Sequence, residues 1–103
     1  MNFEKSTNET LTSTEFEVEL EKCYAYANTQ HDAFTDEYRD IYYRITQGIE
    51  KMDCAENVRT VMRLRYNYGH KFVDVGRIIG ISYQWVYELH KVGVSLLEKH
   101  LSV

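Results

Sequence analysis

No proline occurs anywhere in the chain, and its apolar residues recur at intervals of three and four instead of alternating. Proline fixes φ and removes a backbone donor, so its absence leaves helices free to run, and the spacing is that of a single buried helix face. Glycine, the other residue that weakens helices, is held to five positions. The expected fold class is therefore all-α: a short helical bundle. With 103 residues, 44% of them apolar, the chain can bury one modest core and not a second.

A tail and three segments that carry the pattern precede the C-terminal region. Residues 1–13 are rich in Ser, Thr, Asn and Glu with only Phe3 and Leu11 to bury, which predicts a flexible tail. Thr14 followed by Glu17 has the form of a capping box, and Phe16, Leu20, Cys23, Tyr24 and Ala27 continue a first helix to about Asn28. A second helix is predicted from Asp32 or Ala33, with Phe34, Tyr38, Ile41, Tyr42, Ile45, Ile49 and Met52 as its buried stripe. Gly48 interrupts that stripe, at a cost of about 1 kcal/mol relative to alanine, and marks where a bend or fraying is expected. Asp53 with Glu56 repeats the capping pattern for a third helix whose face is Ala55, Val58, Val61, Met62 and Tyr66, ending at Asn67, Tyr68 and Gly69. Residues 14–52 thus form an acidic helical half suited to dimerisation or partner contact, and residues 53–103 a second region of different charge.

That difference is large. Residues 1–56 hold 13 acidic and five basic side chains, whereas residues 57–103 hold three acidic and seven basic ones, so the net charge of −4 conceals a basic half. Two readings are open: the halves face different partners, or they attract and neutralise one another on folding.

The stretch from Phe72 to Lys91, FVDVGRIIGISYQWVYELHK, fits two helices crossing at a steep angle. Val75, Ile79, Ile81, Val86 and Leu89 fall where the helices press together. Gly76 falls at their closest approach, and Gly80 at the turn, where a left-handed backbone costs glycine nothing. Ser82 is placed to cap the second helix, whose apolar face runs on through Gly93, Leu96 and Leu97. This is a helix-turn-helix pattern. Together with the preceding residues, VMRLRYNYGHKFVDVGRIIGISYQWVYELHKVGVSLLEK, it resembles region 4 of sigma-70-type factors, and more closely the small phage and mobile-element regulators of the RinA and ArpU type. The resemblance covers about the last fifty residues, including an Arg-Tyr pair, Arg65 and Tyr66, at the end of the helix before the motif. It implies that the helix after Ser82 enters the major groove of double-stranded DNA and that the protein regulates transcription, acting with RNA polymerase or a second protomer. Where sigma proteins present several arginines on that helix, this chain has Tyr83, Trp85 and Tyr87.

On a helical wheel Tyr83, Gln84, Tyr87, Glu88 and Lys91 share the arc opposite the apolar face. Gln84 can pair with adenine and Glu88 can accept from cytosine, while Tyr83, Tyr87 and Lys91 can reach phosphates or thymine methyls. Lys71 before the first motif helix and Arg77 on its outer face are placed for phosphates, and Ser82 completes the candidate DNA-contacting set. Arg65 points toward the core side and is expected to pair with Asp74. Trp85 and Val92, seven residues apart on one flank, either meet a partner or pack against the N-terminal helices.

Other function classes find little support. No H-E-x-x-H, phosphate-binding glycine loop or G-x-S-x-G is present, which argues against an enzyme, and no cofactor is called for. His31, His70, His90 and His100 are scattered and read as surface or helix-end residues, not metal ligands. Cys23 and Cys54 each fall in an apolar helical pattern and read as reduced core residues. No apolar run is long enough to span a bilayer, and the first residues lack a signal peptide's apolar stretch, so a cytoplasmic protein without membrane contact is expected. The alternative to a DNA-binding regulator is a helix-turn-helix scaffold that uses its aromatic face to bind and antagonise a host protein.

Overall fold

The computed structural model describes residues 13–29 and 35–102. Among them are five α-helices and no strand: α1 (Thr14–Asn28), α2 (Asp36–Lys51), α3 (Glu56–Met62), α4 (Phe72–Ile79) and α5 (Tyr83–Leu101). The expected tail apart from Ser13, and the start of the second helix with Phe34, lie outside the described residues.

Each helix begins where chemistry permits, though not always at the predicted residue. The α1 cap is Ser13, not Thr14: its hydroxyl accepts from the Phe16 N–H at 3.1 Å. Two hydroxyl residues in succession made the sequence ambiguous by one position, and the extended backbone at Ser13 decides it. The capping box predicted at Asp53 does not form. Ala55 is the N-cap of α3, makes no side-chain cap and is exposed instead of buried. Gly48 neither bends nor frays α2. It is buried because α5 lies against it: a Cβ there would come within 2.9 Å of Leu97 Cδ1 and 3.0 Å of Leu101 Cδ2.

The core lies where α2, α3 and α5 converge under α1. Phe16, Leu20 and Cys23 of α1 meet Ile45, Ile49 and Met52, with Val58, Val61 and Met62 of α3 and Val86, Leu89, Val94 and Leu97 of α5 completing it. Tyr26 takes the buried place expected of Ala27, because the last turn of α1 leans its ring on Tyr42, centroids 5.0 Å apart. The cysteines differ. Cys23 is fully buried, donates to the Tyr66 carbonyl at 3.6 Å, and has its thiol pushed up to about 12 by desolvation. Cys54 is free and only partly covered. Iodoacetamide at neutral pH is therefore expected to modify Cys54 in the native protein and Cys23 only after unfolding, as intact-mass and peptide mass spectrometry would show.

Past Met62 the third helix widens into a π turn, Arg63–Asn67, with the Tyr68 N–H bonding back to Arg63 O and the His70 N–H to Leu64 O. Gly69 ends it at φ +73°, and Asn28 donates from Nδ2 to the Gly69 carbonyl at 2.8 Å, fastening the end of α1 to this loop. Between α4 and α5 the turn is Gly80, Ile81 and Ser82, with Gly80 left-handed at φ +76°. Its amide and that of Ile81 both bond to Gly76 O, at 2.8 and 3.0 Å. Gly76 is as close to α5 as the sequence demands: a Cβ would stand 2.9 Å from the Ile81 carbonyl oxygen and 3.3 Å from Val86 Cγ2.

The basic half is neutralised in part. Arg63 grips Glu50 with Nε and Nη2, both 2.6 Å from its carboxylate, which lowers the Glu50 pKa and raises that of Arg63. Arg59 closes the end of α2 by donating to the Ile49 and Glu50 carbonyls. Among the described residues, Lys71, Arg77, Lys91 and Lys99 make no ion pair with the acidic helices, and all four lie on α4, its N-cap or α5. No helix among the described residues is long and apolar enough to cross a membrane.

Candidate nucleic-acid interface

Ser82 fixes the start of α5 by accepting from the Trp85 N–H at 3.1 Å, in extended backbone at φ −69°. From that cap the phase of the helix follows. Val86, Leu89, Gly93 and Leu97 are buried, while Tyr83, Gln84, Tyr87, Glu88 and Lys91 are all exposed along the opposite arc. Val94 is buried as well, and Leu96 only partly so, because the bundle wraps the Tyr87 side of α5 more than the wheel implies.

The exposed side chains are ordered in pairs. The Tyr83 and Tyr87 hydroxyls are 2.9 Å apart with their rings edge-on, and Lys91 Nζ lies 3.8 Å from Glu88 Oε1. Tyr87 also rests on Phe72, centroids 4.9 Å apart, so the exposed arc is braced from α4. Gln84 stands free of these pairs at the first turn. Lys71 and Arg77 occupy opposite ends of α4, both exposed, with Arg77 held at 3.1 Å from Asp74. Every residue of the candidate set thus belongs to the α4–turn–α5 unit and is open to solvent.

The Arg65–Asp74 pair does not form. Asp74 takes the nearer Arg77 one helical turn on, and Arg65 lies between two rings, its guanidinium carbon 3.7 Å from the Tyr24 centroid and 3.9 Å from that of Phe72. Its Nη1 donates to the His70 carbonyl at 3.2 Å, whereas its buried Nε has no acceptor among the described residues. A weakly hydrated guanidinium tolerates aromatic stacking where a carboxylate would need desolvating. His90 is likewise no surface residue. It is largely buried, with Nε2 2.7 Å from the Tyr66 hydroxyl and Phe72 edge-on at 4.7 Å. Desolvation, aided by the Arg65 charge, pulls its pKa down to about 4, so the ring is neutral at pH 7.

These residues floor a feature that the sequence did not announce: a cleft of about 800 Å³ between α1 and the start of α5, reached by Tyr87, Glu88 and Lys91 from one side and by Glu17, Glu21 and Tyr24 from the other. It opens because α1 packs on α2 and the π turn and leaves α5 standing apart. The signal was absent because Tyr24 lies far along the chain from Arg65 and Phe72.

Trp85 and Val92 do not pack under the N-terminal helices; each keeps 48% of its surface exposed, on the flank of α5 away from the cleft. Among the described residues no group of three or more His, Cys, Asp or Glu side chains is arranged to hold a metal ion. No family model, curated protein or solved structure matches the chain significantly.

Proposed function

We propose that the α4–turn–α5 unit is a sigma-70 region 4-like helix-turn-helix and that the protein is a sequence-specific DNA-binding regulator of transcription. The observation that carries the reading is the phase of α5. One capped helix buries its aliphatic face in the core and presents Gln84, Glu88 and Lys91 on the free side, next to the exposed Lys71 and Arg77. Gln84 reads adenine and Glu88 accepts from cytosine. Lys71, Arg77 and Lys91 hold phosphates and set the register, with the paired Tyr83 and Tyr87 against the sugar-phosphate wall. The acidic α1 and α2 face away and meet a second protomer or RNA polymerase.

Fluorescence anisotropy with a labelled pool of random duplex DNA tests this. Binding is expected at low salt, to fall steeply as salt rises through counterion release, and to weaken about tenfold in a Gln84→Ala, Lys91→Ala variant. Absence of binding at low salt would reject the reading.

A second reading rests on a separate observation. Of the nine large apolar or aromatic residues most exposed among the described residues, six (Val73, Ile78, Tyr83, Trp85, Tyr87 and Val92) lie on α4 and α5. Such a surface suits a protein partner, so that the same scaffold antagonises a host protein. Its signature is binding that survives high salt and is lost in Trp85→Ala.

A further inference from the structure

The cleft between α1 and α5 has no role of its own in DNA reading, yet its α5 wall carries three residues that do, Tyr87, Glu88 and Lys91. Its lining is mostly apolar and aromatic, and three exposed carboxylates, Glu17, Glu21 and Glu88, border it. Glu17 and Glu21, one turn apart on α1, have no ion-pair partner among the described residues, and Glu88 opposite them is held only loosely by Lys91, at 3.8 Å. Against these three negative charges stand Lys91 and Arg65, and Arg65 is already stowed with both faces covered by Tyr24 and Phe72. That stack is itself informative: the same rings that line the cleft already hold one guanidinium.

We propose that this cleft binds an organic cation, an amine or guanidine on an aromatic or aliphatic body, between the carboxylates of Glu17, Glu21 and Glu88 and the rings of Tyr24 and Tyr87. The apolar body is buried against the walls, and the charged group meets the carboxylates at the mouth. A cation beside Glu88 competes with Lys91 for that carboxylate, withdraws it from base reading and frees the ammonium for a phosphate. Occupancy therefore strengthens sequence-independent binding to duplex DNA at the expense of the cytosine contact; this regulatory half rests on the DNA-binding reading, whereas the cation site does not.

Tryptamine is the probe, with indole-3-acetate as the anion of similar body, and binding to the full chain is followed by two-dimensional amide NMR. Tryptamine is expected to shift the Tyr24, Tyr87 and Lys91 resonances saturably and to bind at least tenfold more tightly than indole-3-acetate. A Glu17→Gln, Glu21→Gln variant, changed only at exposed positions, should keep its fold and lose at least fivefold in tryptamine affinity. Indole-3-acetate binding as well or better would overturn the proposal and assign the cleft to an acceptor for Arg65. No saturable shift with tryptamine or with agmatine would also overturn it. Saturating tryptamine should raise duplex affinity about threefold. An unchanged affinity would reject the regulatory half, and failure to bind duplex at all would reject the DNA-binding reading while the NMR result stands.

Discussion

Replacing Gly69 by alanine is expected to destabilise the protein by roughly 3 kcal/mol. Two penalties combine there. The backbone is left-handed at φ +73°, which costs an L-residue about 1 kcal/mol, and the new Cβ would lie 2.7 Å from the Asn28 backbone and 2.8 Å from the Ala27 carbonyl carbon. Backbone cannot swing aside as a side chain can, so the end of α1 must lift from the loop and surrender the Asn28–Gly69 hydrogen bond. Gly80 supplies the control. Its φ is +76°, nearly the same, but a Cβ there meets nothing within 4 Å, so Gly80→Ala should cost only about 1 kcal/mol. Urea unfolding of the two variants measures the contrast. Equal losses would mean that α1 does not bear on the loop.

Acid should weaken the fold well before the carboxylates titrate. His90 is neutral in the native state down to about pH 4, while in the unfolded chain it takes up a proton near its usual 6.5. The unfolded state thus binds more protons across that interval. The contribution of neutral His90 is complete above pH 6.5 and is lost as pH falls toward 4. The loss amounts to about 2 kcal/mol between pH 7 and pH 5 and about 3 kcal/mol by pH 4. Glu50, whose pKa is lowered by Arg63, adds its own loss lower in the pH range, so the pH 7 to 5 interval is dominated by the histidine. Unfolding free energies at those two pH values should differ by that amount in the native chain and should converge in His90→Gln. A gap that persists in the variant would place the proton uptake elsewhere.

What the sequence made legible is what is encoded within one or two helical turns. Gly76, Gly80 and Ser82 each need one local geometry, and their spacing places the turn and the phase of α5 without reference to the rest of the chain. Buried and exposed arcs could be read from that phase. The miscast residues depend on distant partners. Arg65 was matched to Asp74 because both lie near the motif, yet its neighbour is Tyr24, 41 residues earlier, brought in by the packing of α1 on the π turn. His90 appeared as one more scattered histidine, since nothing near it in sequence reveals the Tyr66 hydroxyl or the Phe72 ring. Gly48 looked like a weakness in α2 because the α5 residues that fill its empty face, Leu97 and Leu101, lie about fifty positions on. The cleft escaped for the same reason: it is a gap between helices, and periodicity describes only each helix by itself.

The 19 residues of α5 make a rod about 28 Å long whose far end is locked against α2 and α3. The element that carries the exposed arc is thus also the axle of the core. Its backbone has no hinge between the two duties, so a partner pressing on Gln84 loads Leu97 directly. Fit must then come from rotamers on the arc or from deformation of the partner. By the same token, the arc positions are open to exchange without redesigning the interior, which makes α5 a fixed handle on which a different reading surface can be written.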